Sequence, residues 1–376
     1  MHFTTRNHNV ITGEKTLEPL RVFPNFPIYI ACTDQPEKDD IRADLSLAIC
    51  AKTGIIQVDK LLPLDVVYAE YHSEALGGVW NEHHLSFVDF VHKYQPQYVL
   101  EIGGSNGFIA KECLKKGGIK KWLLVEPTPA CENDGPLEVV TKNFDENFVY
   151  DGKVDTIIHS HTFEHIYEPA AFMKQIAGFL KEGSLHLFSI PNLYRYLAKK
   201  YANWINFEHT VFLTEHYIDY LLAINGFKIL EKKYFYDHSI FYATKKVSSH
   251  PDNNVILANK YAENKALFAD FMKYYKDLIQ EFNGKIQGFE GEVYLFGAHI
   301  FSQFLLHMGL SNKIVKILDN SKIKTNKRLY GTGLFVDRPE IIAGKDKVAV
   351  ILKAGSYQEE IRKQLLEINQ KTVIWE

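Results

Sequence analysis

The stretch Tyr98-Val-Leu-Glu-Ile-Gly-Gly-Ser-Asn-Gly-Phe108 decides how this chain folds. It predicts a short apolar strand that ends in an acidic residue, then a glycine turn, then a helix over 109–116. A dinucleotide loop has the spacing Gly-x-Gly-x-x-Gly because a helix N-terminus must approach a pyrophosphate. Here the spacing is Glu-x-Gly-x-x-x-Gly, from Glu101 through Gly103 to Gly107. We expect a turn that wraps a nucleoside-like cofactor, with a role in packing alone as the alternative.

Length and composition narrow the class of protein. A chain of 376 residues is expected to form two or three domains. Apolar residues make up 46% and charged residues 24%, as in ordinary globular proteins. The formal net charge of -3 gives no reason to expect a nucleic acid partner. The sequence has no apolar run of membrane-spanning length and no signal-peptide core, so we expect a cytoplasmic protein without a membrane partner.

Apolar periodicity predicts three regions. Residues 1–70 hold short alternating runs and several prolines, which indicates a small β-rich module. Over 71–247, predicted strands alternate with helical patterns, which favours an α/β domain with a parallel sheet covered on both faces. The polar stretch 247–254 is typical of a linker. Residues 255–376 begin with a long amphipathic helix and continue as a second, Rossmann-like α/β unit.

That second unit contains a possible nucleotide site. A strand over 293–296 runs into Gly297, and the next predicted strand ends at Asp319, where a dinucleotide fold would hold a ribose. This turn has one glycine, whereas the loop of a pyrophosphate site has three. A nicotinamide cofactor, a nucleotide-sugar role and a scaffold role stay open for this unit.

Polar residues follow the other predicted strands of the middle region. Glu126 follows the second strand, where a carboxylate can accept hydrogen bonds from two ribose hydroxyls. Asn143 and Phe144 follow the third strand, where an amide and a ring could meet an adenine.

The run His161-Thr-Phe-Glu164-His165 follows the fourth strand. Its spacing matches the His-x-x-Glu-His pattern of some zinc peptidases, which would need it inside a long helix with another ligand downstream. Here it lies at the carboxyl edge of the predicted sheet, so we favour a ligand crevice over a metal site. Further on, Glu208 and His209 offer a carboxylate beside an imidazole of near-neutral pKa.

These motifs resemble a known family. The glycine turn resembles the S-adenosylmethionine loop of class I methyltransferases. The order of a small N-terminal module, this loop, the His161–His165 run, Ile-Pro-Asn at 190–192, Glu208-His209 and a C-terminal α/β unit resembles the three-domain nucleotide-sugar C-methyltransferases. The resemblance implies S-adenosyl-L-methionine as cofactor and a nucleotide-linked 4-keto deoxysugar as substrate. The cofactor-binding residues that it implies are Glu101, Gly103, Gly107, Glu126, Asn143, Phe144 and His161.

The same resemblance implies the catalytic residues. His209 is expected to act as base on the carbon beside the ketone, with Glu208 orienting it or the sugar. Tyr71, or a histidine of the 161–165 run such as His165, is expected to hold the enolate oxygen. The enolate then attacks the sulfonium methyl group in line, which requires orientation and neither metal nor covalent help.

The sequence departs from the pattern of this family in two places. Its N-terminal module usually carries four zinc-binding cysteines, whereas here only Cys50 of a plausible pair is present, so no metal is expected. Asn206 stands where the family tends to have a tyrosine. Oxygen or nitrogen methylation of a sugar is therefore an alternative, and a non-catalytic nucleotide-sugar scaffold is a second one. The sequence does not predict the oligomeric state.

Overall fold

The computed structural model describes residues 3–68, 78–247 and 255–376. In the first range, β2, β4 and β5 form an antiparallel sheet, and β1 pairs with β6. The elements are β1 (Thr4–Thr5), β2 (Leu17–Pro27), β3 (Cys32–Thr33), β4 (Arg42–Cys50), β5 (Ile56–Val58), β6 (Lys60–Leu61) and α1 (Leu64–Val67).

The second range folds around a seven-stranded sheet. Its elements are α2 (Gly78–Lys93), β7 (Tyr98–Ile102), α3 (Phe108–Lys115), β8 (Lys121–Val125), β9 (Leu137–Val140), β10 (Thr156–Ser160), α4 (Pro169–Phe179), β11 (Leu185–Pro191), α5 (Leu193–Ala198), α6 (Glu215–Ile224), β12 (Phe227–Phe235) and β13 (Ser239–Lys246). The strand order is β12-β13-β11-β10-β7-β8-β9, and β13 alone runs in the direction opposite to the other six strands.

Alternate residues of the buried strands face opposite sides of this sheet. Val99 packs with α2 and α3 on one face, whereas Leu100 packs with α4 and α6 on the other. The strand order reverses between β7 and β10, and in such sheets ligands bind at the carboxyl ends of the strands beside the reversal. The glycine turn after β7 and the histidine run after β10 both lie there.

The third range contains a five-stranded parallel sheet in the order β17-β15-β14-β18-β19. Its elements are α7 (Tyr261–Gly288), β14 (Glu292–Phe296), α8 (Ile300–His307), β15 (Ile314–Leu318), β16 (Arg328–Leu329), β17 (Val336–Asp337), β18 (Val348–Leu352), α9 (Gln358–Ile368) and β19 (Val373–Trp375).

The predicted α/β class is confirmed. In the N-terminal module, however, one of the short alternating apolar runs, residues 28–30, is not a strand, and β4 was not predicted. In the middle sheet the hairpin of β12 and β13 was not predicted either. Residues 248–254, most of the predicted linker, lie outside the described residues. In the ranges that the structure describes, no helix has the length and apolar character to cross a bilayer.

Candidate active site

The glycine turn after β7 is shaped by close contacts. Gly103 has a positive φ of 74°, and a Cβ there would lie 2.8 Å from Oγ1 of Thr162, in the loop after β10. Gly107 has a φ of 70°, and a Cβ there would lie 2.9 Å from Sγ of Cys131. A residue with a side chain fits neither position without strain. The turn and the histidine run therefore touch at the reversal point of the sheet.

Glu101 lies under this turn and is 1% exposed. Its Oε2 accepts a hydrogen bond of 2.8 Å from the indole N–H of Trp122. Burial raises the pKa of Glu101 to about 7, against the lowering effect of that hydrogen bond. In this unliganded structure, Glu101 supports the turn from below.

The other predicted cofactor residues differ in their surroundings. Glu126 lies next to the turn, where its carboxylate accepts hydrogen bonds from the backbone N–H groups of Ser105 and Thr128 at 3.2 and 3.1 Å. Asn143 is exposed. Phe144 packs in an aromatic cluster, with its ring centroid 5.3 Å from that of Phe148. A role of Phe144 against adenine stays a prediction.

His161 is held by polar contacts on both ring nitrogens. Its Nε2 lies 2.8 Å from Oγ of Ser239, at the start of β13. Its Nδ1 lies 3.1 Å from Oε1 of Glu164. Burial lowers the pKa of His161 to about 3, so its imidazole is neutral at neutral pH. His161 also has a positive φ of 51°, which turns the chain back toward the sheet edge.

Glu164 is the most unusual side chain of the region, because it is a carboxyl group that is only 2% exposed. Neither of its oxygens accepts a hydrogen bond of regular geometry from the described residues, although Nδ1 of His161 is near. Burial raises the pKa of Glu164 to about 7. Buried carboxyl groups without donors are costly and rare, and they concentrate at functional sites.

Predicted catalytic residues meet beside Glu164. Nδ1 of His165 lies 3.8 Å from Oε2 of Glu208 and 3.3 Å from the hydroxyl of Tyr68. The rings of His165 and His209 are 5.0 Å apart between centroids. Burial, together with the charges of Glu208, Tyr167, Glu164 and Glu126, raises the pKa of Tyr68. These four groups and Glu164 form one polar cluster at the sheet edge.

Asn206 positions the Glu208-His209 turn. Its Oδ1 accepts hydrogen bonds from the backbone N–H groups of Glu208 and His209, at 2.9 and 2.8 Å. After the turn, Thr210 and Phe212 form backbone hydrogen bonds with β5 of the N-terminal module. The N-terminal module thus supports the loop that carries the predicted base.

His209 faces the C-terminal domain. Burial lowers the pKa of His209 to about 3, and the nearby His161 and His299 lower it further. His299 follows the glycine turn after β14. In that domain, Asp319 is the residue predicted to bind a ribose. Its carboxylate accepts a hydrogen bond of 2.8 Å from the backbone N–H of Ala298 and contacts Lys324, so it stabilises the turn after β14.

Among the residues that the structure describes, two clusters have a geometry that could hold a metal ion. Glu164, His165 and His209 form one, with ligand atoms within 4.8 Å of one another. The other consists of His83, His161 and His238 at the same spacing. In the second cluster, serine hydroxyls already contact a nitrogen of each ring: Ser189 contacts His83, and Ser239 contacts His161 and His238.

Cys50 has polar neighbours in place of further cysteines. Nδ2 of Asn9 lies 3.2 Å from its Sγ, and Oγ1 of Thr16 lies 3.0 Å from it. Asn9 also donates to Thr53. These contacts connect the segment around Asn9 and Thr16 with the turn after β4.

Tyr71 lies outside the described residues, so its predicted role stays a prediction. The sequence analysis did not identify Tyr68, Glu164 or His299 as site residues, nor the role of Asn206. A local signal existed for Glu164, which lies inside the His161–His165 run. It existed for Asn206 too, because asparagine two residues before a turn often caps it. No local signal marks Tyr68 or His299.

Comparisons with known proteins concern the middle region of the chain. Residues 81–232 match the family model of a methyltransferase domain. A polyamine aminopropyltransferase from Hydrogenobaculum sp. (strain Y04AAS1) is 32% identical over 129 residues, which cover 29% of this chain and 46% of the relative. The chain thus spans about half the length of this curated relative.

Solved structures with similar folds include two methyltransferases. An S-adenosylmethionine-dependent methyltransferase from Clostridium acetobutylicum ATCC 824 has a TM-score of 0.36 at 15% identity, covering 44% of this chain and 92% of its own. The N-methyltransferase NodS from Bradyrhizobium japonicum WM9, in complex with S-adenosyl-L-homocysteine, has a TM-score of 0.37 at 12% identity, covering 46% of this chain and 90% of its own.

The family model thus identifies residues 81–232 of the middle region as a methyltransferase domain, the activity expected from the sequence. S-adenosylmethionine is the methyl donor that the glycine turn predicts for this domain. Glu101, Gly103, Gly107 and Glu126 lie at or under the turn where the sheet order places a ligand.

Proposed function

We propose that this protein methylates a carbon of a nucleotide-linked sugar, one beside a ketone as in a 4-keto deoxysugar, through an enolate. The observation that carries the proposal is the polar cluster of Glu164, His165, Glu208, His209 and Tyr68. It lies one loop away from the cofactor turn, because Thr162 contacts the turn and His165 follows it by three residues. A methyl acceptor bound at this cluster would lie beside the cofactor.

The chemistry needs the groups that the cluster provides. A carbon beside a ketone becomes nucleophilic only when a base removes its proton, while donors stabilise the oxygen. In this proposal His209 takes the proton and Glu208 orients the sugar. His165 and Tyr68, with Tyr71 as the expectation from the sequence, stabilise the enolate oxygen.

The protonation state of His209 suits a base. At neutral pH its imidazole is uncharged, because burial lowers its pKa to about 3. A base with so low a pKa is weak in the unliganded protein. An enolate forming beside it adds a negative charge, which favours the imidazolium and raises the pKa at the moment of transfer.

The test is turnover of candidate keto and non-keto nucleotide sugars, with the product analysed by mass spectrometry and NMR. We expect a new carbon-bound methyl group, and at least 100-fold slower turnover in His209→Asn and Glu208→Gln, since acid–base groups contribute roughly 10²-fold or more. Unchanged turnover in both variants would overturn the assignment of base and orienting group. A methyl group on oxygen or nitrogen would show that the alternative acceptor is correct.

A non-catalytic scaffold is the second alternative. Calorimetry with S-adenosylhomocysteine separates it from an enzyme, because a scaffold has no use for the cofactor turn. We expect binding, and no binding would favour the scaffold. The cytoplasmic location expected from the sequence stays a prediction.

A further inference from the structure

The proposed reaction releases one proton for each methyl group transferred. The C–H bond of the acceptor breaks, its electron pair attacks the methyl group, and the C–S bond of the cofactor breaks to leave a neutral thioether. The proton reaches His209, which is partly buried. A second turnover requires that proton to leave the imidazole.

We propose that Glu164, His161, Ser239 and His238 form a proton relay that carries this proton from His209 to the surface. Glu164 and His209 belong to one cluster whose polar atoms lie within 4.8 Å, a gap that one water molecule or a small shift can bridge. The next steps are 3.1 Å from Glu164 to Nδ1 of His161, 2.8 Å from Nε2 to Ser239, and 2.6 Å from Ser239 to Nδ1 of His238.

Each member can accept one proton while it gives up another. Glu164 in its neutral form receives the proton on one oxygen while its own proton passes from the other oxygen to Nδ1 of His161. The N–H at Nε2 of His161 then donates its proton to the hydroxyl of Ser239, whose own proton moves to Nδ1 of His238, and the N–H at Nε2 of His238 releases its proton to water. This direction assigns the Nε2–H tautomer to both histidines. The relay rests on the proposed function, because only a proton-releasing reaction needs it.

Burial supports a relay in this direction. Glu164 is 2% exposed and its oxygens lack regular hydrogen bonds within the described residues, so it is available to a proton on the substrate side. Ser239 is fully buried, whereas His238 is partly exposed in the hairpin between β12 and β13. The 3.1 Å contact of Glu164 is poorly aligned here, and such contacts often tighten when the substrate binds.

Ser239→Ala tests the relay, with Ser189→Ala as matched control. Both serines are fully buried and contact a histidine, but Ser189 contacts His83 and is not part of the relay. The readout is deuterium uptake from D₂O at the acceptor carbon of a thymidine diphosphate-linked 4-keto-6-deoxy sugar, with S-adenosylhomocysteine bound. We expect Ser239→Ala to exchange at least tenfold more slowly, with partial rescue by imidazole, and Ser189→Ala to stay within twofold of the native protein.

Equal exchange in the native protein and Ser239→Ala would overturn the relay and leave the proposed function intact. No exchange and no methyl transfer by the native protein would instead overturn the proposed function. The tautomers provide a readout that needs no substrate: ¹⁵N NMR of histidine-labelled protein should show Nε2–H at His161 and His238. Nδ1–H at His161 would overturn the relay, and so would a slow Ser239→Ala that imidazole does not rescue.

Discussion

At the scale of single residues, buried carboxyl groups distinguish this site from an ordinary sheet edge. Glu101 and Glu164 are both almost completely buried, and burial raises the pKa of each to about 7. Their settings differ, because Glu101 has the indole N–H of Trp122 as donor whereas Glu164 has no regular donor among the described residues. Glu101 therefore suits a structural role under the cofactor turn, and Glu164 a role in chemistry.

The pKa of Glu101 predicts a pH-dependent stability. Between the usual carboxyl pKa and about 7, Glu101 is protonated in the folded chain and ionised in the unfolded chain. The stabilisation of the folded chain by this proton is therefore full at low pH and is lost as the pH rises through 7. Glu101→Gln should remove this dependence and, at pH 8, unfold with a free energy about 3 kcal/mol larger than the native chain. Urea unfolding of both proteins at pH 4.5 and pH 8 measures it. If the unfolding free energies of the native chain and of Glu101→Gln differ by the same amount at both pH values, the raised pKa of Glu101 is contradicted.

The hydrogen bonds of Asn206 predict that its substitution lowers turnover without any direct contact between Asn206 and the methyl acceptor. Asn206→Ala leaves the N–H groups of Glu208 and His209 without their acceptor, which should cost about 1–2 kcal/mol in stability. Turnover should fall at least tenfold while S-adenosylhomocysteine affinity is retained, because the cofactor turn is untouched. Asn206→Asp keeps the accepting oxygen and should retain more turnover than Asn206→Ala. Equal losses of turnover in the two variants would refute the capping role.

At the scale of elements, the cofactor turn depends on its contact with the loop after β10. Gly103 and Gly117 have nearly the same φ, 74° and 79°, but a Cβ at Gly117 meets nothing within 4 Å. Gly117→Ala should cost only the backbone strain, about 1–2 kcal/mol. Gly103→Ala adds a clash with Thr162 and should also weaken S-adenosylhomocysteine binding at least tenfold. Calorimetry on the two variants isolates the contact, and equal affinities would show that the turn does not need it.

The sequence predicted the elements whose pattern is local. The central strands β7, β8, β10 and β11 each contain adjacent apolar residues that are buried, which is the pattern of a sheet covered on both faces. Strand β12 was missed because lysines and a glutamate interrupt its apolar residues, as is usual for an edge strand. Glu208 and His209 could be predicted as a pair from the sequence order. Tyr68 could not, because 97 positions separate it from His165.

At the scale of the whole molecule, the three regions are less separate than the sequence suggests. A single apolar core contains residues of the N-terminal module, of α7 and of the C-terminal sheet. Strand β3 of the module pairs with β16 of the C-terminal unit. The module also holds the loop after His209 by backbone hydrogen bonds. The loop of His209, the proposed base, is therefore held by the N-terminal module as well as by the middle region, which explains why the site could not be assembled from the middle region alone.

Two arginines that bind carboxylates, one of them at the junction between the two ends of the chain, are predicted to differ greatly in their contribution to stability. Arg328 bonds both oxygens of Asp40 at 2.7 Å, and the two side chains are 5% and 1% exposed. Arg362 bonds Glu376 in a similar two-point geometry, but those side chains are 45% and 26% exposed. Arg328→Met leaves a buried carboxylate unpaired, which should cost about 3–5 kcal/mol. Arg362→Met should cost less than about 1 kcal/mol, because exposed pairs contribute little. Calorimetric unfolding measures both changes.

Since Asp40 belongs to the module and Arg328 to the C-terminal unit, the loss in Arg328→Met should also lower methyl-transfer activity at temperatures where the native chain is fully active. Equal losses in the two variants would mean that the two ends of the chain are not joined by this pair.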